Sequence, residues 1–313
     1  MHYTEPIYRP PNEADSILIE ATVGCSHNKC TFCSAYKETC FRIAPMEQIK
    51  NDIIEAGKLY RNTRRPLYVH PVFAYGFEKT GAIGNQRVFL LSGDAFAIGF
   101  RELKQIALWI HEYIPTVKCI SAFTTINDIK RKSLDELKEL KFLGYTNLYL
   151  GTETGSDSIL TWIKKGHNVQ EAVEQCHKLE EAGILYSVSY ITGLAGAGKC
   201  LENAKTSINF YNQIHPYMMG SASLTIFPNT ELGKAYKSGQ FKEVSELERL
   251  EETRALLAGL TLNTFFSSNH VSTMVPVTGI IPKDKDKMLA ELDKAITEIK
   301  SMKTIPKYKR DSM

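Results

Sequence analysis

Gly24-Cys25-Ser26-His27-Asn28-Lys29-Cys30-Thr31-Phe32-Cys33 follows the strand-like run Ser16–Val23, and its cysteines stand in the spacing C-x4-C-x2-C. Three thiolates held that close in the chain can grip three irons of a [4Fe–4S] cube. The fourth iron then has no protein ligand and stays open to a second molecule, which turns an electron store into a catalyst. Two other readings share the spacing. It is also that of a plant-type [2Fe–2S] electron carrier, which needs a remote fourth cysteine such as Cys119. A structural zinc site closed by His27 or Cys40 would instead make the chain a binding or interaction module. His27 reads either as an exposed loop histidine or as a group that meets the cluster.

Outward from the loop, strand-like and helix-like segments alternate. Strand patterns cover 17–23, 87–92, 117–124, 147–151, 185–191 and 218–226. Helical patterns cover 46–60, 100–113, 134–143, 169–182 and 201–214. Ser133 with Glu136 forms a capping-box pattern, and Gly144 and Gly183 stand as helix stops. Six βα-type units with mostly short connections predict a parallel sheet wrapped by helices. With right-handed crossovers the sheet curls into a partial (β/α)6 TIM-like barrel. The polar and glycine-bearing turns fall at strand C-termini, the face on which such barrels bind ligands: the cysteine loop, Ser92-Gly93-Asp94, Gly151–Gly155, Thr192–Gly196 and Phe227–Thr230. The long connection 61–86 lies at the opposite end. It is expected to stay out of the active site and to serve a partner contact or a structural role.

The expected layout is a lead-in over 1–14, a core over 15–232 and a helical C-terminal extension over 233–313 that covers the barrel opening. Within the extension, Phe265-Phe266-Ser267-Ser268-Asn269-His270 lies in a stretch almost without charge. Asn269 and His270 are therefore candidates to line a substrate pocket, against the plainer reading of a packed strand with a bonded histidine.

Composition narrows the class. The 313 residues are 43% hydrophobic and 23% charged, ordinary values for a globular protein. A net charge of +3 is too small to indicate nucleic acid or an anionic membrane, although tRNA is not excluded. The basic tail from Lys300 to Arg310 reads as a solvated end. No run approaches the ~20 apolar residues of a membrane span. The N-terminus lacks a signal-peptide core, so a cytoplasmic location is expected. Four of the seven cysteines (Cys40, Cys119, Cys176 and Cys200) are scattered and read as buried thiols rather than a disulfide framework.

These motifs together resemble the radical S-adenosylmethionine (radical SAM) superfamily. Its usual cluster motif is C-x3-C-x2-C with an aromatic residue before the last cysteine. Phe32 holds that aromatic position here, and the first gap is one residue longer. Ser92-Gly93-Asp94 matches the second motif, typically Gly-Gly-Glu, whose backbone holds the methionyl amino group. By the same resemblance Glu153 would meet the ribose or carboxylate of SAM. Ile191 and Gly193 would face adenine, and Phe227 belongs to the strand-six turn, where Asn229 replaces a glycine. The resemblance covers roughly residues 15–232. The run 151–166 is most similar to the branch of oxygen-independent coproporphyrinogen oxidases and elongator-type enzymes. It implies a [4Fe–4S] cluster on Cys25, Cys30 and Cys33, with SAM as cofactor. It also implies an electron donor such as flavodoxin or ferredoxin, and hydrogen abstraction from an unidentified substrate.

Overall fold

The computed structural model describes residues 1–61 and 87–310, so the expectation for the 61–86 connection lies, Arg61 aside, outside the described residues. Ten strands are described: β1 (Ile17–Glu20), β2 (Thr22–Val23), β3 (Arg42–Ile43), β4 (Arg87–Leu91), β5 (Cys119–Thr124), β6 (Tyr145–Glu153), β7 (Leu185–Thr192), β8 (Met218–Ser223), β9 (Thr264–Ser267) and β10 (Thr278–Ile281). The helices are α1 (Met46–Arg61), α2 (Phe100–Tyr113), α3 (Ile126–Lys130), α4 (Leu134–Phe142), α5 (Asp157–Trp162), α6 (Val169–Ala182), α7 (Cys200–Tyr211), α8 (Glu231–Lys237), α9 (Glu246–Gly259) and α10 (Lys285–Ser301). The main sheet is open, in the order β1-β4-β5-β6-β7-β8-β9-β10, and β2 pairs with β3 apart from it. The architecture is the α/β, mostly parallel partial barrel that the alternating pattern predicts.

The chain forms two compact units. The first comprises Met1–Asn28, Ala35–Tyr149 and Lys178–Leu185; the second comprises Lys29–Ser34, Leu150–His177 and Tyr186–Met313. In the first unit β1, β4 and β5 pair in parallel. Their residues read as unbroken apolar runs because both faces are buried: Ile17, Leu18, Ile19, Val88, Phe89 and Leu90 have no exposed surface. Helix α2 buries Leu103, Ile106, Ala107 and Ile110, one stripe at helical spacing. Ser133 and Glu136 form the expected capping box on α4, and Gly144 beyond it has φ +99°. The lead-in belongs to this packing. Glu13 is fully buried and accepts from Ser121 Oγ (3.0 Å), Tyr149 OH (2.6 Å), Ser16 and the Arg87 guanidinium.

In the second unit β7, β8 and β9 are parallel and β10 returns antiparallel to β9. The extension, expected to be helical, therefore adds two strands. The uncharged stretch at 264–281 carries them because alternate residues face the interior: Phe266 is buried while Phe265 is 40% exposed. The basic tail is exposed over 300–305 and 307–309, as expected of a solvated segment, and is pinned at Arg310. Arg310 makes paired contacts of 2.6 Å to both oxygens of the buried Glu246 and donates to the Ser272 carbonyl (2.8 Å). A buried carboxylate demands such a cation.

Lys132 shows how the first unit handles a buried charge. Its ammonium donates to the Phe96 carbonyl (2.7 Å) and lies 4.4 Å from the Phe96 ring centre. Burial lowers its pKa to about 8, with Asp128 opposing the shift and Lys178 reinforcing it. The native state thus releases this proton near pH 8, whereas the unfolded chain holds it to about 10.4. Between those values the unfolded state binds more protons, so this lysine makes stability rise with pH. Denaturant titrations should show wild type gaining on Lys132→Met by up to ~3 kcal/mol between pH 8 and 10. A difference that is flat across that window would contradict the buried charge.

Candidate cluster and cofactor site

The first half of the cysteine loop is tied down within the first unit by the turn after β4. Gly93 N–H donates to the Gly24 carbonyl (3.0 Å), and Ser92 Oγ donates to the same oxygen (2.6 Å). Asp94 accepts from Ser26 N–H (2.9 Å and 3.1 Å to its two oxygens) and from Ser26 Oγ. Its side chain is fully buried. Burial pushes its carboxyl up to about 6, and the Ser26 bonds hold it back. The shorter acid at this position is thus engaged with the loop. Ser92 has φ +99°, a conformation that glycine adopts freely and serine does not. Its bond to Gly24 offsets that strain. Gly93 is glycine for a different reason. A Cβ there would lie 2.7 Å from Cys25 Cβ and 2.9 Å from a Tyr36 ring carbon. The backbone of this turn therefore presses directly on the first cysteine.

Asn28 is a residue that motif matching passed over. It has φ +38° within the cysteine loop. Its side chain donates to the Tyr36 carbonyl (2.7 Å), and its own carbonyl accepts from Lys37 (2.9 Å). Its N–H points at Cys25 Sγ at 3.5 Å. The tolerance of Asn for left-handed backbone was the available signal.

In the second unit the loop's other half is held by two helix ends. Thr31 N–H donates to the Ile163 carbonyl beyond α5 (3.0 Å), and Leu232 N–H in α8 donates to the Thr31 carbonyl (2.9 Å). Phe32 packs on the apolar cluster of Leu160, Ile163, Leu194, Leu224, Leu232 and Phe241, which Ile191 also joins. Phe227 opens a turn in which its carbonyl accepts from Thr230, and Thr230 Oγ caps α8 by accepting from Gly233 N–H (3.0 Å).

Glu153 ends β6 with φ +64°. Its carboxylate binds Lys165 Nζ (2.7 Å) and Ser189 Oγ (2.7 Å), with only 7% of the residue exposed. Non-glycine residues at positive φ are strained; among the described residues they are Asn28, Ser92, Glu153 and Lys164, of which Ser92 and Glu153 lie where strands end. A Cβ on Gly151 would stand 2.6 Å from Glu153 Oε1 and 2.7 Å from Lys165 Nζ, so glycine leaves room for this ion pair.

Gly193, the turn after β7, is enclosed by α9. Glu252 is fully buried; it accepts from Gly193 N–H (2.7 Å), Tyr190 OH (2.7 Å) and Asn203 Nδ2 (2.8 Å). Burial raises the Glu252 pKa against those donors. Arg249 donates to the Thr192 carbonyl (3.0 Å), and its guanidinium occupies the space that a Gly193 side chain would need. The glycine expected to admit a ligand admits this arginine. Farther along, His270 is half-buried. Its Nδ1 accepts from Ser272 N–H (3.2 Å) and lies 2.8 Å from Ser272 Oγ, which itself accepts from Ser223 N–H (3.0 Å). Asn269 is exposed, with its N–H on Ser267 Oγ (3.3 Å). Among the described residues no group of three or more His, Cys, Asp or Glu side chains is gathered to hold a metal ion. Of the scattered cysteines, Cys119, Cys176 and Cys200 are buried as expected, whereas Cys40 is exposed.

Two glycine substitutions separate these roles. Gly93→Ala should lower the iron held after anaerobic reconstitution, because its Cβ displaces Cys25; full iron retention would contradict the contact. Gly193→Ala combines positive φ with an arginine in its path and should cost about 1–3 kcal/mol. Thermal melts should show that loss as a drop of several degrees, with iron content unchanged.

The superfamily profile described as "Radical SAM superfamily" matches residues 19–199. The chain is 22% identical over 288 residues to a tRNA uridine(34) acetyltransferase of Methanocaldococcus infernus, covering 86% of this chain and 53% of that one. It thus spans about half the length of that relative. Among solved structures, it resembles the radical S-adenosylmethionine methyltransferase TsrM of Kitasatospora setae (TM-score 0.54, 13% identity, 71% of this chain and 39% of that one). It also resembles the coproporphyrinogen III oxidase HemN of Escherichia coli (TM-score 0.50, 15% identity, 78% and 52%). With more than half its length matched by the superfamily profile, the chain belongs to the radical SAM superfamily.

Proposed function

We propose that Cys25, Cys30 and Cys33 hold the [4Fe–4S] cluster of this radical SAM enzyme and that SAM occupies the open iron. The donor chemistry suits it. All three thiols are partly exposed, none is in a disulfide, and the Asn28 N–H faces Cys25 Sγ as it would a thiolate. The observation that carries the reading is the grip of Ser92-Gly93-Asp94 on Gly24-Cys25-Ser26. It couples the turn assigned to SAM to the first cysteine. Cys25, Cys30 and Cys33 would hold the cluster and the Ser92-Gly93-Asp94 turn the methionyl end of SAM, and the bound pair would supply one-electron reductive cleavage of SAM and hydrogen-atom abstraction from a substrate.

The protein's part is orientation. Ser92 and Gly93 would present backbone to the methionyl end of SAM. Phe32 and Ile191 would form an apolar wall. Glu153 and Phe227 would complete the contacts, and the Gly193 turn would be kept in place by Arg249 and Glu252. Asn269 and His270 are proposed as substrate contacts. With Nδ1 accepting from Ser272, the neutral ring offers Nε2–H as its donor. The catalytic core would span 15–232, with 233–313 as an extension whose α9 holds the turn after β7. A flavodoxin or ferredoxin would supply the electron in the cytoplasm. Among the described residues no helix is long and apolar enough to cross a membrane. The similarity to a relative named for tRNA supports a tRNA nucleoside as the substrate class we favour.

Anaerobic reconstitution tests the ligands. Each of Cys25→Ala, Cys30→Ala and Cys33→Ala should abolish the cluster's absorbance and its electron paramagnetic resonance signal, while Cys40→Ala should keep both. Loss of the cluster in Cys40→Ala would point to a closed four-cysteine site. Reduced wild type should convert SAM into 5′-deoxyadenosine and methionine; an intact cluster that leaves SAM whole would sink the assignment.

A further inference from the structure

A groove of about 600 Å³ opens within the second unit, apart from every residue assigned to the cluster or to SAM. Its walls come from α5 with Trp162, the turn after β7, the start of α7 with Glu202 and Lys199 just before it, and the segment 239–242 with Gln240 and Lys242. Trp162 is its most distinctive element. The indole stacks on the buried Phe241 ring, 5.5 Å between centres and 15° from parallel, and remains 43% exposed. An aromatic plane fixed from behind and open in front is a stacking platform.

Cations flank the platform. Lys199 and Lys242 are both exposed and line the groove, and neither has an ion-pair partner among the described residues. That distinguishes them from Lys164, paired with Glu231 at 2.6 Å, and Lys165, paired with Glu153. Glu202 and Gln240, also exposed in the lining, supply an acceptor and an amide. Asn203, by contrast, has its amide nitrogen on Tyr190 and Glu252 and its oxygen on Thr154.

We propose that this groove binds a nucleotide unit. The base would stack on Trp162, the phosphate would lie against Lys199 and Lys242, and Glu202 would accept from ribose hydroxyls or an exocyclic amine. Stacking on an aromatic face tolerates any base, and lysines recognise phosphate by charge, so the site is specific for the class rather than for a sequence. The proposal rests on the groove alone and stands whether or not the enzyme's substrate is tRNA.

The test uses anaerobic holoenzyme and fluorescence anisotropy of a short fluorescein-labelled oligouridylate, with uridine 5′-monophosphate as competitor. Wild type should bind saturably, and its affinity should fall with added salt. Trp162→Ala should weaken binding on the order of tenfold, the effect of losing one stacked base. Lys199→Glu with Lys242→Glu should weaken it at least as much. That double variant changes only exposed side chains and so guards against loss of folding in Trp162→Ala. Iron content and SAM cleavage should match wild type in the double variant. Displacement by the mononucleotide would identify a free-nucleotide site; binding of the strand alone would identify an RNA chain. Absence of saturable binding, or wild-type affinity in the double variant, would overturn the proposal. Failure here with intact SAM cleavage leaves the proposed function standing, whereas loss of SAM cleavage in wild type defeats that function and not the groove.

Discussion

A loop that must offer three thiols within nine residues has no room for secondary structure of its own, and its backbone groups need partners elsewhere. The grip of Ser92-Gly93-Asp94 on Gly24-Cys25-Ser26 meets that need for the first cysteine. Two donors converge on the Gly24 carbonyl, one carboxylate takes both donors of Ser26, and a missing Cβ lets the chain reach Cys25. Each element has a cost that the others offset: positive φ at Ser92, and a buried acid at Asp94. Such concentrated strain is characteristic of sites that must be rigid before a ligand arrives. In the second unit Thr31 does comparable work for the other half of the loop through a carbonyl and an amide at two helix ends.

Helix α9 shows a second constraint. It carries Glu246, Arg249 and Glu252 on buried positions, where unpaired charges would be costly. Each has a designated partner: Arg310 for Glu246, the Glu243 carboxylate and the Thr192 carbonyl for Arg249, and Gly193 N–H with Tyr190 and Asn203 for Glu252. Breaking one partnership would leave a charge stranded in the interior, which typically costs about 3–5 kcal/mol. The turn after β7 is thereby set by residues some sixty positions later in the chain. A segment that looks like a surface helix by composition is in fact a support for a candidate cofactor turn.

These two features bear on how an open sheet holds its strand-end loops in place. The parallel strands β7, β8 and β9 bring their following turns to one end of the second unit, and the Ser272 hydroxyl joins the end of β8 to the segment after β9. Hydrogen bonds of this kind hold strand-end loops at fixed heights. A reactive site gains from that, because positional drift admits water and side reactions.

The cysteine spacing, the alternating strand and helix periods, the Ser133–Glu136 cap and the stops at Gly144 and Gly183 were all local signals. They determined the superfamily and nearly every element of the sheet, because side-chain period and capping chemistry act within a few residues. What lay beyond them depended on distant partners. No local pattern says that Asp94 binds Ser26, that Gly193 is glycine because Arg249 needs its space, or that Glu153 shares its carboxylate between Lys165 and Ser189. The weakly patterned stretch 264–281 became strands β9 and β10 because the edge of β8 was there to pair with, and strand formation depends on such context more than on propensity. Sequence alone determined which residues are candidates for the chemistry. Only the tertiary structure decided which of their polar groups are already engaged, because burial and pairing belong to contacts made across the chain.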